Sequence, residues 1–381
     1  STSPSSGRSR MRIAIGIVSV SEQGGLQRDC LALAAALERR GHAVTLYAAR
    51  TVAPWRAPRP VTLLPVRART NHGLDAAFGA AFAAAVAGKA DLVIGFNKLP
   101  GLDVYYAADP CHAARKIPFW QRLLPRHRAR LALERACFGP EATTVALILA
   151  ESVGADYSRS WGTPPSRLRQ LPPAIAPDRA RPDLREPPER RAATRRAIGV
   201  GPDPVVWLWV ATQPLTKGLD RVIEALARNR KARLLVVGLP AADRKAAPHV
   251  ARARQLGVSE HIRWLGHRDD VPQVMAVADL LVHPARLDVT GQVILEAMAN
   301  GLPVIVSAVC GFAEHVRAAE AGLILAEPFE AGHLDAALAH LADSGRRARF
   351  GAAAIAYCET KGVARGLEAA ADVIEAIAAE R

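Results

Sequence analysis

The amino-acid sequence predicts an α/β protein built as two parallel-sheet domains, and three observations carry that expectation. Short β-branched apolar runs alternate with helix-period segments along most of the chain, the pattern of strands covered by helices on both faces. The alternation stops at a proline-rich stretch, residues 172–188, and then restarts. A length of 381 residues also suits two cores better than one.

The elements follow in order. Residues 12–18 form an apolar run that leads to the Gly24-Gly25 turn, and residues 26–40 then repeat apolar side chains at helical spacing until Gly41. Strand, tight turn and helix are the consequence. Residues 44–49, 61–65, 92–96, 104–107 and 144–149 read as further strands, and the Ala-rich stretch 76–88 reads as a buried helix, too short to cross a bilayer. Prolines at 172, 173, 177, 182, 187 and 188 oppose both helix and central strand. They place an interdomain linker at 176–190, between an N-terminal domain at 11–175 and a C-terminal domain at 191–381. In the second domain, strands are expected at 205–210, 234–237, 262–265, 280–283 and 304–306. Helices are expected at 219–227, 241–256 and 291–300, with a helical tail from His333. Residues 1–10 are polar, precede the first strand, and are set aside as a disordered extension unlike a signal peptide. The simplest assembly is two Rossmann-like halves facing each other across a cleft, with ligands at the carboxyl ends of the strands.

Composition narrows the function. The chain is half hydrophobic with a mean hydropathy of +0.06, and no apolar run reaches the roughly 18 residues of a membrane span, so it reads as soluble. Five scattered cysteines without paired spacing fit a reducing cytoplasm. Fifty Lys and Arg against 36 Asp and Glu give a net charge of +14, which calls for an acidic partner: nucleic acid, anionic lipid or a phosphorylated glycan. Aromatics are only 5%, and neither zinc-finger spacing nor an RNP-like motif is visible, so nucleic acid is not an expected partner.

The densest chemistry lies at 283–303. Asp288 falls on the loop after a strand, and Glu296 follows eight residues later on a helix that begins near Thr290 and Gly291. Free backbone N–H groups at that helix start would face a phosphate, and the two carboxylates would accept from sugar and ribose hydroxyls on either side. A solvated loop acid and a helix acid in a salt bridge give the same spacing, which does not choose between them. Lys217 stands just before another helix, where a cation opposes the helix dipole unless an anion such as a diphosphate compensates it. A solvated lysine is the competing reading. The Gly24-Gly25 turn lets backbone N–H groups approach a ligand, although many strand-to-helix turns need glycine for geometry alone.

Between Cys111 and Arg135, the cations Arg115, Lys116, Arg122, Arg126, Arg128 and Arg130 are interleaved with Trp120 and other apolar residues. An interfacial membrane element has this composition. So does an amphipathic helix with a solvated basic face.

The strings Gly-Gly-Leu-Gln-Arg-Asp at 24–29, Gly-Phe-Asn-Lys-Leu-Pro-Gly-Leu-Asp-Val-Tyr-Tyr-Ala-Ala-Asp at 95–109, Leu-Pro-Pro at 171–173 and the 283–303 segment together resemble one family. It is the lipopolysaccharide core glucosyltransferase I (WaaG) group of glycosyltransferase family 4, and the resemblance runs from Met11 to near the carboxyl terminus. It implies a GT-B fold of two Rossmann-like domains facing across a cleft, UDP-glucose as donor, retention of anomeric configuration, and a heptose of the lipopolysaccharide inner core as acceptor. It also implies work at the cytoplasmic, inner face of the inner membrane, with the basic segment touching anionic lipid.

Site residues carry over where they match. Glu296 matches the second acid of the family's Glu-x7-Glu motif, on the ribose, while Asp288 replaces the first Glu, on the sugar hydroxyls. Lys217 matches the diphosphate lysine, Gly24 and Gly25 the loop that meets the diphosphate, and Gly238, Thr290 and Gly291 complete the implied donor set. Asp29 and Asp103 match acceptor-side carboxylates and join Lys217 as the implied catalytic set. Two departures stand out: residues 212–216 lack the family's arginine near the diphosphate lysine, and Asp288 is one methylene shorter than Glu. No Asp-x-Asp stands beside a strand, and Asp269-Asp270 reads as a loop or helix cap, so no metal and no other cofactor is expected. In the family, the leaving phosphate itself takes the acceptor proton, and no enzyme nucleophile is implied. Three rivals stay open: a transferase of N-acetylglucosamine or galactose, a GT-B epimerase, and a non-catalytic nucleic-acid or lipid-binding protein.

Overall fold

The computed structural model describes residues 10–21, 24–52, 59–115 and 117–381, so most of the 1–10 extension lies outside the described residues. The chain divides into two compact units, residues 1–171 with 367–381, and residues 172–366.

The first unit begins with β1 (Arg12–Val20), α1 (Gly25–Arg39), β2 (Ala43–Thr51), β3 (Val61–Leu63), α2 (Asn71–Val86), β4 (Leu92–Gly95) and β5 (Val104–Ala107). It continues with α3 (Phe119–Arg122), α4 (Pro125–Phe138), β6 (Val145–Ile148), α5 (Glu151–Trp161) and β7 (Leu168–Gln170). The strands are all parallel, in the order β3-β2-β1-β4-β5-β6-β7. β1 is buried along nearly its whole length, as a strand covered on both faces must be. Helix α2 opens on Thr70, whose hydroxyl accepts from the Gly73 N–H at 3.1 Å, and it buries Phe78, Phe82 and Val86 at four-residue spacing. Each such burial contributes about 1.5–3 kcal/mol.

The second unit holds α6 (Pro188–Ala197), β8 (Val206–Val210), α7 (Leu219–Arg228), β9 (Arg233–Val237), α8 (Ala247–Gln255), β10 (Ile262–Gly266) and α9 (Val271–Val277). Then come β11 (Leu280–His283), α10 (Gln292–Ala299), β12 (Val304–Ser307), α11 (Ala313–Ala319), β13 (Gly322–Leu325), α12 (Ala331–His340) and α13 (Ser344–Thr360). Its sheet is also parallel throughout, in the order β10-β9-β8-β11-β12-β13. In each sheet the order reverses beside the first strand, between β1 and β4 and between β8 and β11. Such switch points open a crevice at the carboxyl ends of the strands.

Two boundaries differ from the sequence expectation. Helix α14 (Glu368–Ala379) belongs to the first unit, not to the C-terminal domain. Its apolar stripe of Ala370, Ala371, Ile374 and Ile377 joins the core around Leu33 and Leu37, and Arg40 binds Asp372 at 2.6 Å, Glu368 at 2.9 Å and Glu375 at 3.1 Å. Residues 176–190 are packed rather than a free tether: the Arg181 N–H donates to Asn300 Oδ1 at 2.8 Å, and Asn300 Nδ2 donates to the Arg179 carbonyl at 2.6 Å. The chain crosses between units at Leu171–Pro172 instead, and returns at Gly366–Leu367. Asp270 does precede a helix, α9, but its carboxylate pairs with Arg268 at 2.6 Å and does not cap.

Candidate active site

In the second unit the loops after β8 and β11 meet at the switch point. Gly218, at φ 73°, closes the first loop; a Cβ there would stand 2.1 Å from the Pro284 carbonyl, so only glycine lets the two loops touch. Trp209 Nε1 donates to the Lys217 carbonyl at 2.9 Å, and the Arg286 N–H donates to the Thr216 carbonyl at 2.8 Å. Lys217 Nζ, held by this frame, lies 2.8 Å from Asp288 Oδ2 and donates to the Leu287 carbonyl at 3.2 Å. The backbone of residues 288–290 is pinned in turn: the Phe312 N–H donates to the Thr290 carbonyl at 2.8 Å, and the Gly311 N–H to the Asp288 carbonyl at 3.3 Å.

Asp288 Oδ2 also meets His283 Nε2 at 2.8 Å, at the last residue of β11. Burial alone would raise the Asp288 carboxyl, but the His283 hydrogen bond and the nearby Lys217 charge outweigh it and hold the group down at about 2. The carboxylate is therefore ionised across the physiological range. His283, Asp288 and Cys310 form a cluster with metal-ligand atoms among the described residues, all within 4.8 Å. The fit to a resident ion is poor, because the Lys217 ammonium already sits on the shared Asp288 oxygen and burial pushes the Cys310 thiol up, away from the thiolate a metal needs.

Of the other donor-set residues in this unit, Gly238, Thr290 and Gly291 lie on loops after the carboxyl ends of β9 and β11. Glu296 is buried on α10, and Gly291, at φ 80°, precedes that helix directly. Gly238 follows β9; its N–H donates to the Gly266 carbonyl at 2.7 Å and a Cβ would stand 2.7 Å from the Ala211 carbonyl, so its N–H is engaged within the fold. The arginine missing from 212–216 has a neighbour in Arg286, which donates to the Leu215 carbonyl at 2.7 Å but grips Asp220 through both carboxylate oxygens, at 2.8 and 2.6 Å.

In the first unit Gly24 (φ 102°) and Gly25 carry the chain into α1, and Asp29 on that helix accepts from the Tyr106 hydroxyl at 3.0 Å. Asp103 is corrected. It precedes β5, at the amino end of the parallel sheet, where its Oδ2 accepts from the Val93 N–H at 2.7 Å and its Oδ1 pairs with Arg381. It ties β4, β5 and the chain end together, and it lies at the opposite sheet end from the α1 start. The carboxylate at the ligand-facing end is Asp109, two residues after β5, which lines a hollow with Asp75, Asn97 and Lys98. Its place after a strand was the signal in the sequence.

The basic segment forms α3 and α4 with the turn before them. Arg115, Arg122, Arg126, Arg128 and Arg130 are exposed, while His127, Glu134, Cys137 and Phe138 form the buried face of α4. Phe119 (78% exposed), Trp120 and Leu123 (72%) also face solvent. Lys116 lies outside the described residues. No helix among the described residues is long and apolar enough to cross a membrane.

Two doubly wound parallel sheets, with ligand-type side chains converging at a switch point, define a glycosyltransferase of the GT-B fold class. A family model described as Glycosyl transferases group 1 matches residues 191–357. The lipopolysaccharide glucosyltransferase WaaG of Escherichia coli (strain K12) is 37% identical over 365 residues, 92% of this chain and 95% of that protein. The crystal structure of WaaG, a glycosyltransferase involved in lipopolysaccharide biosynthesis, is 36% identical with a TM-score of 0.88, over 95% of this chain and 99% of that one. Sucrose-phosphate synthase from Thermosynechococcus elongatus shares the fold at a TM-score of 0.76 and 20% identity, over 97% of this chain and 99% of that one. The chain belongs to the WaaG group of glycosyltransferase family 4.

Proposed function

We propose that the protein is a retaining, metal-independent hexosyltransferase that moves glucose from UDP-glucose onto a heptose of the lipopolysaccharide inner core, as a peripheral protein on the inner face of the inner membrane. The observation that carries this reading is the Lys217–Asp288 pair at the β8/β11 switch point, in a chain 37% identical to a lipopolysaccharide glucosyltransferase. Of the three N–H donors on the Lys217 ammonium, one meets Asp288 and one the Leu287 carbonyl, leaving one for a diphosphate oxygen. That charge and the backbone N–H groups at the start of α10 offset the negative charge developing on departing UDP. Asp288 receives the sugar hydroxyls, Glu296 the ribose, and the first unit takes the acceptor. The lysine ammonium on Asp288 and the protonated Cys310 support a metal-free mechanism. The acceptor hydroxyl passes its proton to the leaving phosphate as the new glycosidic bond forms on the same face.

Calorimetry with UDP-glucose, UDP-N-acetylglucosamine and UDP-galactose, repeated in EDTA, tests the donor. Preference for UDP-glucose, unchanged by chelation, is expected. Equal affinity for all three, or binding restored only by Mg²⁺, would overturn the donor or the metal-free reading.

A further inference from the structure

The first unit carries two adjoining hollows. One, of about 260 Å³, is lined by Asp75, Asn97, Lys98 and Asp109, and the other, of about 230 Å³, by Gln121, Arg126 and His127; His112, Arg115 and Arg130 line both. Part of this wall is structural. Glu134, fully buried, accepts from Lys98 Nζ at 2.5 Å, from the Ala113 N–H at 2.9 Å and from Trp161 Nε1 at 3.2 Å, and also from the His112 N–H. These bonds fix the turn that carries His112, whose Nε2 stands 2.8 Å from His127 Nδ1.

The other charged groups have no such partners. Among the described residues, neither the Asp75 and Asp109 carboxylates nor the Arg115, Arg126 and Arg130 guanidinium groups make a hydrogen bond or ion pair. Burial pushes both aspartate carboxyls up, so hydroxyl donors from a ligand would stabilise their ionised forms. The smaller hollow is purely basic, with no carboxylate in its lining, while the larger holds Asp75 and Asp109 together with Arg115 and Arg130, whose charges extend the basic wall into it. Acids beside an amide suit sugar hydroxyls. Three guanidinium groups exceed what one carboxylate engages and match the three oxygens of a phosphate.

We infer that the two hollows form one bipartite subsite for a phosphorylated sugar, its hydroxyls on Asp75 and Asp109 and its phosphate on Arg115, Arg126 and Arg130. The inference rests on the transferase reading only in making this sugar part of the acceptor. Titration of the full-length chain with mannose 6-phosphate, mannose, inorganic phosphate and phosphatidylglycerol vesicles tests it, with UDP binding followed in parallel. Mannose 6-phosphate should bind at least about tenfold more tightly than mannose or phosphate alone, the scale of one or two charge-assisted hydrogen bonds. The double variant Arg126→Gln/Arg130→Gln should lose the advantage over mannose, and Asp109→Asn the advantage over phosphate, both with UDP affinity unchanged. Equal affinity for mannose and mannose 6-phosphate would overturn the subsite, as would a double variant that loses only vesicle adhesion, since its arginines would then read a lipid headgroup. A parent chain that binds mannose 6-phosphate but not UDP would instead sink the donor reading and leave the subsite standing.

Discussion

Lys217 Nζ and Asp288 Oδ2 stand 2.8 Å apart, joining the loop after β8 to the loop after β11 across the switch point of the second sheet. In the proposed donor reading, a cation held this way would stabilise a leaving diphosphate without rearrangement at the moment of reaction. Lys217→Ala should lower turnover by about 10²-fold and affect donor KM less. Steady-state kinetics separate the two effects, and a loss confined to KM would make Lys217 a uniform binding contact.

Glu296→Gln should weaken UDP-sugar binding by about 1–3 kcal/mol, because an amide offers one acceptor oxygen where a carboxylate offers two. Calorimetry measures this directly, and unchanged donor affinity would remove the ribose role.

The depressed Asp288 carboxyl makes a prediction about acid. A group held at about 2 stabilises the fold above its unfolded value near 3.9 and loses that contribution as pH falls through its folded value. The parent should therefore melt higher than Asp288→Asn by a constant margin from pH 5 to 7, from a stabilisation of about 2 kcal/mol. The margin should shrink between about pH 4 and pH 2. A margin that stays level to pH 2 would show that the ion pair adds nothing to stability.

Much of this architecture is legible in the sequence, because strands buried on both faces must be continuous apolar runs, and those of β1, β5 and β11 are unambiguous. Strands β7 and β13 escape notice: Leu168–Gln170 is too short to show a pattern, and Gly322–Leu325 opens on a glycine that reads as a turn. The Ala-rich period of α14 reveals an apolar face but not which sheet it covers, since its partners Leu33 and Arg40 lie more than 300 residues earlier. The donor-side pair was visible as Lys217 and Asp288 separately, while their contact depends on how two loops fold. Asp103 and Asp109 show the opposite case. Both lie in the string that resembles the family, yet only Asp109 follows a strand, and the carboxyl-end rule was enough to choose between them.

The exposed Arg122 and Arg128 line neither hollow, and Phe119, Trp120 and Leu123 stand beside Arg122 with their apolar surface in solvent. Each basic residue near an anionic surface contributes about 1 kcal/mol, so Arg122→Gln/Arg128→Gln should weaken binding to anionic vesicles roughly 30-fold. Transfer to a detergent-solubilised acceptor should be spared. Cosedimentation equal to that of the parent would leave these arginines a solvated helix face.

The most direct measurement is transfer itself. The purified protein is incubated with radiolabelled UDP-glucose and lipopolysaccharide truncated at the inner-core heptoses, with EDTA present, and label in the glycolipid is counted against UDP released. The account predicts equal molar amounts of glucosylated glycolipid and UDP, with the new linkage in the α configuration of the donor. UDP release without labelled glycolipid, an inverted linkage, or label that appears only when Mg²⁺ replaces EDTA would contradict it.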